Sequence, residues 1–160
     1  MIRTHKLIWV LVCLLGAACS PSPPVAPATP RAEDSLLILT DPCAVRLGDI
    51  ADALLMYYSQ NRQLPQKLEE LQTAAGGKAL LDFTCPVTGQ PYVYVPTNLN
   101  GPGADRRVLV YDAQPNAKGR RWGIVAAPSR PAHPVNMWVV SLDEPTLRYL
   151  LPPGVAPAAR

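Results

Sequence analysis

Histidine is nearly missing from this chain of 160 residues, which holds only His5 and His133. That excludes a histidine-rich metal centre and leaves a single candidate base, His133, downstream of the first eighteen residues. Charge is also sparse: 17% of residues are charged, while 48% are apolar. A disordered polyelectrolyte is thereby excluded, because the apolar fraction is enough to build a core. No CxxC pair occurs, and the glycine-containing stretch Asn100-Gly101-Pro102-Gly103 is a turn whose proline removes a donor that an anion cradle would use. No apolar run reaches the roughly 20 residues of a membrane-spanning helix, the longest being the 12 residues from Leu7 to Ala18. At 17.3 kDa there is room for one domain and not two.

What is present begins with an address. Arg3 and Lys6, with no acid among them, precede the apolar run, and Gly16, Ala17 and Ala18 lead directly to Cys19. A positive start and a short apolar core make residues 1–18 a secretory signal. The small residues before Cys19 resemble the lipobox of bacterial lipoproteins, with Gly16 standing where that motif has a branched residue. The resemblance implies lipidation of Cys19 and a membrane partner through that lipid. The other readings of the same residues are an ordinary signal cut near Ala18 and an uncleaved anchor. Ser20 to Asp34 then carries Pro21, Pro23, Pro24, Pro27 and Pro30 without apolar periodicity, so residues 19–40 read as an extended tether. Formal charge is +3 for the whole chain, and loss of Arg3 and Lys6 with the signal leaves 13 basic against 12 acidic residues, or +1. A balance so near neutrality gives no reason to expect a nucleic-acid partner.

The rest reads as helix, then sheet, over residues 41–151. Asp41-Pro42 has the form of a helix start. Cys43, Leu47, Ile50, Leu54 and the pair Tyr57-Tyr58 recur at helical spacing, with Asn61 as the expected left-handed stop. Pro65 opens a second helix predicted over Gln66 to Leu71, before the break at Gly76-Gly77. Four strands are predicted at Pro91–Val95, Arg107–Asp112, Trp122–Ala127 and Val135–Leu142, joined by short turn-rich segments and therefore antiparallel. Ser141 or Asp143 caps a short final helix, and residues 152–160 are expected to be a flexible tail. The fold class is α+β: a long helix whose one apolar stripe covers the one face that a four-stranded antiparallel sheet has to bury.

The order of these pieces is also a resemblance. Ala53-Leu54-Leu55-Met56-Tyr57-Tyr58, then Asn61-Arg62-Gln63-Leu64-Pro65, then Leu68-Glu69-Glu70-Leu71 are similar to the globular part of type II secretion pseudopilins. Cys85-Pro86-Val87-Thr88-Gly89-Gln90-Pro91-Tyr92-Val93-Tyr94 resembles the related pilin-like proteins of planctomycetes. The resemblance implies a non-enzymatic domain for protein–protein contact. Pseudopilins have a leader cut before a Phe-like residue and a Glu early in a long apolar helix, whereas here a cysteine and a Pro-rich stretch stand in those places. Asp105, Asp112, Asp143 and Glu144 form no dense acidic loop, so the calcium site of major pseudopilins is not carried over.

Three sets of residues are left as candidates for a site. Cys43 and Cys85 in an exported domain suggest one disulfide, the alternative being two buried free thiols. Arg106, Arg107, Lys118, Arg120, Arg121 and Arg130 fall within 25 residues and form either a surface for anionic polymers or lipid headgroups, or merely solvated turns. Strand order decides whether these charges make one patch or two. Glu69-Glu70 and Asp143-Glu144 sit in first helical turns, where the helix dipole favours acids, and His133 lies in a proline-flanked loop without a nucleophile nearby. No catalytic residue, metal site or cofactor is expected. An envelope lipoprotein with an envelope-protein partner is the leading expectation, and an anionic-surface binding module is the alternative.

Overall fold

The computed structural model describes residues 38–74, 81–97, 99, 106–116, 119–127 and 135–158. The signal, Cys19, most of the tether, Lys118, Arg130 and His133 lie outside the described residues.

Helix α1 runs from Pro42 to Asn61. Its start is built from two adjacent residues. Asp41 Oδ1 accepts hydrogen bonds from the backbone N–H of Cys43 at 2.9 Å and of Ala44 at 3.4 Å, while Pro42 occupies a position whose N–H would have had no partner. At the other end Arg62, not Asn61, takes the left-handed conformation (φ 57°) and donates its N–H to the Tyr58 carbonyl at 2.8 Å. Asn61 stays helical because its side-chain amide has its own acceptor, the Tyr57 carbonyl at 2.9 Å. The stop therefore falls one residue later than expected. Helix α2 likewise starts late, spanning Glu70–Ala74. The residues after Pro65 form tight turns instead, with the N–H of Glu70, Leu71 and Gln72 each reaching a carbonyl three residues back.

The sheet is an antiparallel meander of β1 (Val93–Tyr94), β2 (Arg107–Tyr111), β3 (Arg121–Ala127) and β4 (Asn136–Leu142), in that spatial order. Strand β1 is shorter than predicted, since Pro91 bridges to Thr84 instead of extending the ladder. Helix α3 spans Glu144–Leu150 and is capped by Asp143, whose Oδ1 accepts from the Thr146 N–H at 2.9 Å. The class is α+β.

The sheet buries both of its faces, not one. On the first face Leu47, Ile50 and Leu54 of α1 pack with Leu109, Val110, Ile124, Ala126 and Val139. Each of those three helix side chains is fully buried and contributes about 1.5–3 kcal/mol relative to an exposed position. On the second face Leu147, Leu150 and Leu151 pack on Val108, Tyr111, Val125, Val140 and Leu142. Beyond Leu151 the segment read as a flexible tail makes backbone contact with this face. The Ala158 N–H donates to Tyr111 Oη at 3.2 Å, and its carbonyl accepts from Arg121 Nη2 at 3.5 Å.

Alternation of the two faces is broken once. Val108 pairs with Val125 and Val110 with Ile124, so Leu109 is an extra residue in β2. Leu109 and Val110 both join the α1 face, and Tyr111 passes to the other. Gly123, opposite Tyr111, has no room for a side chain: a Cβ there would stand 2.6 Å from Leu142 Cδ1 and 3.0 Å from the Val110 carbonyl oxygen.

Candidate functional site

Cys43 and Cys85 are joined as a disulfide, with Cα atoms 5.2 Å apart. Each half is held by its own local structure. Cys43 sits in the first turn of α1, fixed by the Asp41 cap. Cys85 opens a tight turn in which its N–H donates to the Gln90 carbonyl at 2.9 Å and its own carbonyl accepts from the Gly89 N–H at 2.8 Å. Gly89 has φ 66°, a conformation that glycine adopts without a Cβ penalty. Both cysteines are buried, and the Tyr92 hydroxyl donates to the Cys43 carbonyl at 3.2 Å across them. Burial, with the nearby carboxylates, pushes the Tyr92 phenol well above its ordinary range, so it stays a donor.

A third group shares this space. Because of the extra residue at Leu109, Asp112 turns to the α1 face at the end of β2, where it is 3% exposed. One of its carboxylate oxygens and the two sulfurs all lie within 4.8 Å of one another. Asp112 Oδ2 accepts from the Trp122 N–H at 2.9 Å, whereas Oδ1 is buried with no hydrogen-bond partner. Loss of water raises the Asp112 carboxyl to about 6; the Trp122 N–H pulls down, Asp41 pushes up and Arg121 pulls down. A buried carboxyl pushed up to about 6 thus stands beside a buried disulfide.

Among the described residues, the basic cluster falls at two places and not one. Arg107 starts β2 opposite Ala126, at one end of the sheet, and Arg121 starts β3 opposite Leu142, at the other. The ends are on the order of 15 Å apart along the strands. Arg106 lies over the Trp138 ring, 5.5 Å from its centre. Arg107 is buried and donates to Thr97 Oγ1 at 3.3 Å. Arg121, 3% exposed, donates to the carbonyls of Asp112 (3.0 Å) and Ala113 and stands 3.8 Å from Glu144. Arg120 flanks it, with its N–H on Asn116 Oδ1 at 3.1 Å. Of the four described arginines of this cluster, Arg107 and Arg121 are thus internal fastenings of the fold.

A separate cleft of about 440 Å³ lies where α1 ends, lined by Tyr58, Arg62, Leu64, Pro96, Thr97 and Leu99 among others. Among the described residues it has no carboxylate or histidine. No described helix is long and apolar enough to cross a membrane.

Sequence reasoning brought Cys43 and Cys85 together but missed Asp112 and Tyr92. The sequence reading has Asp112 as the end of the second strand and as an acid too isolated for a calcium site; the missed signal is its place next to the strand end that faces the first strand. Comparison of the chain with models of known protein families, with curated proteins and with solved structures finds no match.

Proposed function

We propose that this protein is an exported envelope lipoprotein, held to a membrane by lipid on Cys19, which presents its folded domain to an envelope protein from the end of a Pro-rich tether. In a cell with two membranes, its place is the outer membrane, facing the periplasm. The observation that carries the reading is the buried Cys43–Cys85 disulfide. Such bonds form and persist in oxidising compartments, in keeping with the signal-like residues 1–18. The domain is read as a non-enzymatic contact module akin to the pseudopilins. The resemblance in sequence and the order of helix followed by antiparallel meander support that reading. A filament subunit is not proposed, because Ser20 to Asp34 has prolines where pseudopilins have the apolar helix that assembles them.

The test is metabolic labelling with a fatty-acid precursor. The wild-type chain is expected to take up label and to sediment with membranes, and Cys19→Ala to do neither. An unlabelled wild-type chain overturns the reading.

A further inference from the structure

We propose that the outer edge of β4, with the flank of α1 above it, is a docking surface for a second copy of this chain, the two sheets joining antiparallel about Val139. The inference does not depend on lipid at Cys19, and it adds a partner to the envelope protein of that reading.

The two edges of the sheet are unlike. Strand β1 is blunted: it is two residues long and lies between Pro91 and Pro96. Shortness and flanking prolines are common means of stopping an edge from pairing with another chain. Strand β4 has neither. Asn136–Leu142 is seven residues long, contains no charge and no proline, and pairs with β3 at every position without a bulge. Every second residue of such a strand turns its N–H and C=O away from its neighbour. Among the described residues, no backbone group outside the sheet reaches β4. A long, regular, uncharged edge is a template for a further strand.

The helix above this edge is open on the same side. Helix α1 lies over β3 and β4. One of its flanks is occupied: Arg46 pairs with Asp82 at 2.6 Å, and the Tyr57 hydroxyl donates to Glu70 Oε2 at 3.1 Å. Those contacts are with the loop before β1 and with α2, so this flank faces the β1 side of the sheet. At about 3.6 residues per turn, Gly48 and Leu55 fall on the opposite flank, toward and beyond β4. Leu55 is an exposed apolar side chain, and a Cβ on Gly48 would meet nothing within 4 Å. Asp52, on the same row, turns further from the sheet and is exposed.

A second copy fits both features at once. Antiparallel pairing about Val139 overlaps all seven residues of β4 and keeps the two faces of the sheet continuous. It sets Trp138 opposite Val140 of the other copy, an aromatic–β-branched pair, and opposes no like charges within the strand. Strands are spaced about 4.8 Å apart, so two helices that each lie over β3 and β4 come to about 10 Å from one another across the seam. That is the distance at which helices pack, and the small Gly48 and apolar Leu55 are the side chains brought to the contact. A strand from an unrelated protein would match the backbone but leave this flank of α1 uncovered. A seam seven residues long and two layers deep buries on the order of 1,000 Å² in all, the least that a specific pair needs, so the dimer is a reversible one.

The test uses the full chain with Cys13→Ser and Cys19→Ser, so that Cys43 and Cys85, bonded to each other, are the only native cysteines left. One cysteine is added at Val139, Met137 or Ser141, and cells producing the chain are treated with a mild oxidant. Position 139 meets its own copy at about 5 Å between Cα atoms, within reach of a disulfide. Positions 137 and 141 stand about 13 Å from their own copies and face each other instead. On a non-reducing gel, Val139→Cys should run at twice the mass of the chain. Met137→Cys and Ser141→Cys should each stay single when produced alone and cross-link when produced together, with tags of different length marking the mixed pair. Met137 and Ser141 are only half-buried, so the mixed pair decides even if Val139→Cys does not fold. Ser141→Lys, added to Val139→Cys, places a charge on the edge and should cut the cross-linked species at least about tenfold while the circular dichroism of the chain is kept. Absence of any cross-link, equal cross-linking at all three positions, a product of another mass that marks a different protein on this edge, or a dimer that survives Ser141→Lys in a folded chain would each overturn the proposal.

Discussion

The two faces of the sheet are closed by different means. On the α1 face a long apolar stripe does most of the covering, and a covalent bond ties the start of the helix to the loop before β1. On the α3 face the cover is only seven helical residues and a returning tail. There the fastening is polar: Arg121 reaches two carbonyls after β2, the Ala158 carbonyl and Glu144. A sheet of four strands, one of them two residues long, is thus buried on both sides without two long helices. Short covers are sufficient where cross-links add what apolar area does not.

The largest test of this difference removes the covalent link. Cys43→Ala with Cys85→Ala opens a loop of 42 residues in sequence separation, worth about 4 kcal/mol in the chain-entropy description. Urea unfolding should show that loss as a lower midpoint, and hydrogen exchange should show α1 losing more protection than α3. Equal loss on both faces would mean that the disulfide serves the whole domain and not one layer.

The second face is tested by Arg121→Met, which keeps much of the side-chain volume and deletes every donor. The carbonyls of Asp112 and Ala113 lose a charged partner, and among the described residues Glu144 keeps Arg148, at 3.2 Å. Hydrogen bonds to charged groups are worth about 1.5–3 kcal/mol, so a loss of about 2–3 kcal/mol is expected by urea unfolding. Exchange protection should fall first in α3 and the tail, the reverse of the cysteine variant.

The same two faces explain what was legible in the sequence. The α1 face was read from Asp41-Pro42 and the spacing of Cys43, Leu47, Ile50 and Leu54, because a helix declares its buried side through its period. Strands β2 to β4 were placed to within a residue or so by their β-branched runs and the turns between them. The second face was missed for a physical reason. Val108, Leu109 and Val110 are apolar without alternation, so neither two-sided burial nor the extra residue at Leu109 could be seen. That one residue reverses the facing of everything after it. Without it Asp112 would lie on the α3 side, away from the disulfide. The cysteine pair was legible from its count and from the export expected of residues 1–18, whereas its carboxyl neighbour depended on strand parity. For the arginine cluster the sequence left one patch or two open, and antiparallel pairing puts Arg107 and Arg121 at opposite ends of the sheet.

The smallest effect expected is a stabilising one, and its sign depends on pH. In the oxidised protein Asp112 is raised to about 6, against an ordinary value of 3.8. Between those values the folded chain holds a proton that the unfolded chain has lost, so stability falls as pH rises from about 4 to 6 and is level above. This is opposite to Asp143, whose carboxyl is held below its ordinary range first by the Thr146 hydrogen bonds and which loses its contribution only as pH falls further. Asp112→Asn is nearly isosteric, can still accept from the Trp122 N–H and cannot acquire charge. It should therefore raise stability by about 1–2 kcal/mol at pH 7.5 and change it little at pH 4, as read from urea midpoints at the two values. Tyr92, Asp41, Asp82, Arg46 and Arg121 also act on this corner of the α1 face. All five are present in wild type and variant alike. A variant less stable than wild type at pH 7.5 would show that the ionised carboxylate is well accommodated beside the disulfide, and the α1 face would then be fastened by charge as the α3 face is.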